Sequence, residues 1–282
     1  MASVERMQPL LGTFVTIRAQ GQEGVPESEV TGAVSAAFSA IARVQRLMSF
    51  HRHDSDVGRL NRARPGCHLR VHRWTSAVLS EALQLHMASA GAFDCNVGRV
   101  LVRGGLLPRS RPAVVGRSKT SMSRAIRLAE GGRVNVAQRV SLDLGGIAKG
   151  FAVDQVVRVL RSRGMQSGLV NAGGDLYAFG SAPQEIWVRC PKSPTDMKLI
   201  GRLQNGAVAT SASYFASNLG NDGKAASAIV NPRHQRRVGL PGSVSVVAKS
   251  CLQADALTKI VALRGSLPAS IQRRARATVI RL

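Results

Sequence analysis

The sequence predicts an α+β protein. Segments with a 3.6-residue apolar period are separated by runs of short alternating strands, and do not alternate with them one for one, as a doubly wound sheet would require. The 282 residues also carry 44% hydrophobic side chains, enough for one large domain or two intimately packed lobes with a real core. Only 4% are aromatic, so that core is built from Val, Leu, Ile and Ala.

The elements follow in order. Leu11–Ala19 alternates as a first strand, and residues 21–28 form a loop. Glu29–Met48 places Val30, Val34, Ala37, Phe38, Ile41, Val44 and Met48 at helical spacing. Polar residues 49–56 break that period, and a short helix runs through Leu60. A further helix opens with Thr75 as N-cap, buries Val78, Leu79, Ala82, Leu83 and Met87, and ends at Gly91. Residues 104–124, rich in Gly, Pro, Arg and Ser, read as a long surface loop. Val140–Leu144 is a candidate strand that turns through Gly145–Gly146 into a helix ending at Arg163, with Gly164 past its end. Strands at Leu169–Asn171 and Leu176–Phe179 flank Gly173–Gly174. Short strands at Ile186–Arg189, Ala207–Ala209 and Val244–Ala248 precede one last helix from about Ala254. No repeat and no compositional boundary divides the chain, so residues 1–282 are expected to form a single domain.

The net charge of +23 comes mostly from Arg. It fits a nucleic-acid surface, an anionic substrate or membrane surface, or plain decoration of a solvated face. The basic residues are scattered, with short clusters at Arg99–Arg111 and Arg273–Arg276, and no aromatics interleave with them. No stacking platform for single strands, and no specific nucleic acid, is therefore expected. Cys67, Cys95, Cys190 and Cys251 are widely spaced with no C-x-x-C, against a zinc site or redox dithiol. No apolar run suits a membrane helix and no signal peptide is evident, so a cytoplasmic protein is expected by default. The periplasmic face is the alternative if further sequence precedes Met1.

The common nucleotide, P-loop, zinc-hydrolase and serine-hydrolase motifs are missing. Three segments carry chemistry instead. In Asp143–Gly150, a carboxylate precedes two glycines and a helix start that includes Lys149. Exposed amides there can hold an anion, so it reads as a pyrophosphate-handling turn or as an ordinary strand–turn–helix connection. In Asn171–Asp175, paired glycines either admit a ligand or simply make a hairpin. In Ala254–Lys259, Asp255 is either a magnesium ligand in the first turn or half of a surface i, i+4 ion pair with Lys259.

Taken in order, these segments resemble one family. The resemblance runs through Leu10–Val15, Met48–Phe50 with Asp54–Asp56 and Leu60–Asn61, Gly91–Asp94, Asp143–Gly150, Asn171–Asp175, Ala209–Ser211, Ile229–Pro232 and Ala254–Lys259. The chain is similar to the FAD:protein FMN transferase (ApbE-like) family. The resemblance implies mixed or antiparallel sheets flanked by helices. It implies FAD as substrate, Mg2+ as cofactor, and transfer of FMN to a Thr or Ser hydroxyl of an acceptor flavoprotein with release of AMP. Acceptors on a membrane would bring peripheral contact with it.

Carried over by motif, Met48, Ala92, Phe93 and Asp94 would contact the flavin or adenine, although Met48 and Phe93 also suit a core. Asp143 and Lys149 would hold the nucleotide, and Ile229 would pack nearby. Gly146, Asp255 and Thr258 would surround the metal. Three positions depart from the pattern. Ala228 stands where the family commonly has His, a candidate general base, and Ala212 stands where it has Gly. Lys259 stands where it often has a metal-ligating Thr, which has moved to Thr258. An ammonium cannot ligate magnesium, so Lys259 is read as catalytic through direct neutralisation of the diphosphate. Loss of the His makes an FAD-binding or FAD-hydrolysing relative without protein flavinylation the alternative, and a basic nucleic-acid module a remote one.

Overall fold

The protein was analysed as a computed structural model, which describes residues 1–109, 120–191, 193, 195–212, 227–240 and 242–282. The chain opens with β1 (Ser3–Leu10), β2 (Thr13–Gln20), α1 (Glu27–Met48), α2 (Asp56–Arg62), β3 (His68–Arg70), α3 (Arg73–Ala88) and α4 (Gly98–Arg103). After the undescribed 110–119 come α5 (Met122–Ala125), β4 (Ile126–Ala129), β5 (Arg133–Val136), α6 (Ala148–Ser162), β6 (Ser167–Ala172), β7 (Asp175–Phe179) and β8 (Gln184–Arg189). The rest comprises β9 (Met197–Leu203), β10 (Gly206–Ala212), β11 (Val230–Asn231), β12 (Arg236–Arg237), β13 (Ser243–Ala248), α7 (Cys251–Arg264), α8 (Ala269–Ala275) and β14 (Thr278–Arg281).

One seven-stranded sheet organises the molecule, in the order β1-β2-β6-β7-β10-β13-β14. Every neighbouring pair in it is antiparallel. The α+β expectation holds, and the main sheet is antiparallel throughout. Helices α1, α6 and α7 cover one face, α1 through the apolar stripe that its period predicts. Strand β7 is buried at every residue, because β8 and β9 fold over the sheet's other face through Ile186 and Leu203. A smaller antiparallel sheet, β3-β5-β4, sits with α3 and α5. One continuous core joins it to the main sheet, and Trp74 of α3 meets Phe151 of α6 edge to face.

Several local expectations are corrected. Strand β2 starts at Thr13, because Leu11 and Gly12 both take positive φ (57° and 71°) and form the two-residue turn of a hairpin with β1. A Leu at the first turn position gives little signal for that turn. His72, not Thr75, caps α3, its Nδ1 accepting the Trp74 amide. Thr75 lies inside the first turn, where its hydroxyl donates to buried Asp56 at 2.7 Å. Met87 is 69% exposed. Within the loop expected over 104–124, residues 110–119 lie outside the described structure and α5 occupies its end. Helix α7 begins at Cys251 rather than near Ala254, and α8 and β14 follow it.

Val140–Leu144 joins no sheet among the described residues. Side-chain amides take the place of a ladder. Asn96 accepts from the Ser141 amide at 2.7 Å, while Asn61 both accepts from the Leu142 amide and donates to its carbonyl. Val140, Ser141, Leu142 and Leu144 are nevertheless buried, with the Ser141 and Leu142 backbone groups satisfied by side chains instead of a strand neighbour.

Candidate functional site

Residues 143–150 leave this Asn-clamped segment and enter α6 at Ala148. Gly145 and Gly146 do not take positive φ; their role is close approach. A Cβ at Gly145 would lie 3.1 Å from Asp143 Oδ2, and one at Gly146 would lie 3.4 Å from Lys259 Cε. At Gly150 a Cβ would lie 2.1 Å from the Cys251 carbonyl, so α6 and α7 touch backbone to backbone. That contact brings the Asp143 turn onto the start of α7. Asp154 of α6 reinforces it by accepting the Cys251 and Leu252 amides at 2.8 and 3.0 Å, which caps α7 from outside. Burial raises the Asp154 carboxyl to about 6, against the two amide bonds and Arg158.

The Gly173–Gly174 turn joins β6 to β7 with both residues at positive φ (64° and 95°), and the Asn171 side chain accepts the Gly174 amide. A side chain at Gly173 would strike Thr13. The turn delivers Asp175 to the first position of β7, under the start of α6.

Four charged groups meet there. Lys149 Nζ lies 2.7 Å from Asp175 Oδ2 and 3.6 Å from Asp255 Oδ2. Asp255 Oδ2 also accepts the Gly150 amide at 3.2 Å, and Lys259 Nζ pairs with Asp255 Oδ1. Asp255 is fully buried in the second turn of α7, so the surface ion-pair reading does not hold, and neither does a dipole role in the first turn. Lys149 and Lys259 keep 29% and 19% of their side chains exposed. Burial alone would raise the Asp255 carboxyl, but Lys149 and Lys259 outweigh it and hold it below the usual range. Asp175 is pushed up to about 6 by burial and then by the Asp255 charge, against Lys149 and Lys259. Lys149 is raised because the two carboxylates outweigh its own burial. The cluster is thus two ammoniums against two carboxylates, with the ammoniums on the open side.

Above it lies a cleft of about 370 Å³, in the size range of small-molecule sites. Ala92, Phe93, Asp94, Asp143, Gly146, Lys149, Ile229 and Lys259 all line it, so eight of the residues singled out from the sequence share one cavity. Asp255 and Thr258 are buried beneath it. Met48 packs in the core at the end of α1 and is not among the lining residues. Asp94 reaches the cleft, but its carboxylate is engaged elsewhere: it accepts the Asn96 and Met122 amides and lies 3.3 Å from His86 Nδ1. Burial raises the Asp143 carboxyl first, the Gly145 amide and Lys149 opposing it in part. Among the described residues Asp143 makes no ion pair within 4 Å, unlike Asp94 and Asp175.

The sequence reading missed Asp175 as a charged partner, and with it Thr210 and Ser211 as cleft residues. A carboxylate directly after paired glycines, buried at a strand start, was the available signal for Asp175.

The donor set that magnesium takes is not assembled here. Both Asp255 oxygens already face ammoniums or an amide, and the Thr258 hydroxyl donates to the Asp255 carbonyl at 2.7 Å and meets Ser211 Oγ at 2.7 Å. No group of three or more His, Cys, Asp or Glu is placed for a metal among the described residues. No described helix is long and apolar enough to cross a membrane.

Fold and site define a class: an antiparallel α+β protein whose cleft, lined by Lys149 and Lys259, sits over a buried four-charge cluster. A family model described as the ApbE family matches residues 11–278, and the chain belongs to that family. It is 29% identical over 264 residues to the FAD:protein FMN transferase of Vibrio cholerae, covering 88% of this chain and 78% of that one. With the FAD:protein FMN transferase of Treponema pallidum it shares 28% identity over 284 residues, covering 89% and 76%. Among solved structures, the flavin transferase ApbE from Vibrio cholerae matches with a TM-score of 0.82 at 25% identity, over 99% of this chain and 93% of that one. The apbe protein from Thermotoga maritima gives 0.81 at 25% identity, over 99% and 94%.

Proposed function

We propose that this chain transfers the FMN half of FAD to a Thr or Ser hydroxyl of an acceptor flavoprotein and releases AMP. The observation that carries the reading is the convergence of the Asp143 turn and the Lys259 face of α7 on one cleft, with Lys149 and Lys259 both lining it. Family membership supports it, because relatives over most of this length are FAD:protein FMN transferases.

In this reaction the acceptor oxygen attacks the phosphorus of the FMN half. The bond from that phosphorus to the bridging oxygen breaks, and AMP leaves with the bridging oxygen and its electron pair. Lys149 and Lys259 offset the charge that builds on the diphosphate and on the leaving phosphate. The Gly145–Gly146 backbone lets the diphosphate approach closely, since side chains there would meet Asp143 or Lys259. With Ala228 at the position where the family carries an imidazole, Asp143 is the cleft carboxylate left to accept the hydroxyl proton. The high positive charge favours encounter with an anionic dinucleotide.

The test is incubation with FAD and an acceptor domain, read by mass spectrometry. An FMN-sized phosphoester adduct on the acceptor, with one AMP per adduct, is the expected result. Ala228 favours a second reading, hydrolysis of FAD by water, whose signature is free FMN and AMP with unmodified acceptor.

A further inference from the structure

Resting on the flavin-transfer reading, we propose that the Lys259 ammonium occupies the place of a divalent cation, so that this cleft binds the FAD diphosphate without a metal ion. The first support is the state of Asp255. It is the buried carboxylate nearest the cleft on α7, yet Oδ1 is taken by Lys259, and Oδ2 by the Gly150 amide at 3.2 Å with Lys149 at 3.6 Å. A metal would have to expel an ammonium to reach it.

The second support is the tether on Lys259. Its Nζ also donates to the Asp255 carbonyl at 3.1 Å, and its stem runs past Gly146, so the charge is held at the cleft wall beside Lys149. The third is the balance of charge. Lys149 and Lys259 offset Asp175 and Asp255, so neither of these two buried carboxylates offers an unpaired charge to a dication, while a diphosphate meets two lysines that line the cleft. With threonine at position 259 the same cluster would carry one uncompensated negative charge, an open Asp255 oxygen and a hydroxyl beside it. Those are the requirements of a magnesium site.

The experiment measures FAD binding by flavin fluorescence, in excess EDTA and in excess magnesium, for the wild type, Lys259→Thr and Lys259→Arg. The wild type is expected to bind with Kd values that agree within about twofold in the two buffers. Lys259→Thr is expected to lose about tenfold or more in EDTA and to recover in magnesium, while Lys259→Arg stays insensitive to chelation. Wild-type binding that collapses on chelation overturns the proposal and leaves the flavin reading standing. FAD binding in neither buffer overturns both. Lys259→Thr binding as tightly as wild type in EDTA also overturns the metal-replacement role. If a variant does not fold, the two wild-type measurements decide.

Discussion

Lys149 Nζ sits 2.7 Å from Asp175 Oδ2 and thereby ties the second residue of α6 to the first residue of β7, directly beneath the cleft. Removing this ammonium leaves Asp175 and Asp255 with Lys259 as their remaining counter-charge. Lys149→Met should cost about 3 kcal/mol in urea unfolding at pH 7.5, as for other buried pairs broken on one side. The sign of its pH dependence follows from Asp175, already raised to about 6. Its folded value lies above its unfolded one, so protonation favours the folded state, and the deficit should shrink as pH falls to about 5. A deficit that grows on acidification contradicts this account.

The α6–α7 contact tolerates no side chain at Gly150, where a Cβ would lie 2.1 Å from backbone. Gly150→Ala should lower stability by about 1–3 kcal/mol. Gly32, inside α1 with open space around it, is the control, and Gly32→Ala should raise stability by about 0.5–1 kcal/mol. Thermal melts of the two variants should therefore move in opposite directions.

Asp154 caps α7 at a cost that depends on pH. Its carboxyl is raised from 3.8 to about 6, so the folded state takes up a proton more readily than the unfolded chain. Its contribution favours folding most fully below about pH 4 and fades as pH rises through about 6, a span on the order of 3 kcal/mol. Asp154→Asn keeps one acceptor for the α7 amides and removes the titration. Urea unfolding between pH 4 and 7 should show a flatter stability profile for the variant than for the wild type.

Asp143 is assigned the acceptor proton. Asp143→Asn should reduce the flavin-transfer rate by about 10²–10⁴ without weakening FAD binding, because it removes a negative charge beside the diphosphate. Since burial raises the Asp143 carboxyl, the acid limb of the wild-type rate profile should lie above the usual carboxylate range and vanish in the variant. Adduct formation followed by mass spectrometry across pH 4–8 checks both points. An unchanged rate for Asp143→Asn removes Asp143 from this role.

Periodic patterns carried much of this architecture in the primary structure. The apolar stripe of α1 and the glycines around β6 and β7 each report a local rule, and those elements lie within a few residues of their expected places. Order along the chain was equally informative about the cleft, because residues 92–94, Asp143, Gly146, Lys149, Ile229 and Lys259 meet in one cavity. What local pattern could not carry was any decision made between distant segments. The hairpin at Leu11–Gly12 depends on pairing with β1, and the strand-like run at Val140–Leu144 is claimed by Asn61 and Asn96 instead of a sheet. The same holds for charge. Sequence spacing alone makes Asp255 and Lys259 neighbours on a helix; burial, together with Lys149 and Asp175 from two other elements, turns that pair into a neutral four-group cluster. Desolvation and electrostatic coupling are properties of surroundings assembled in three dimensions, and only the folded chain determines them.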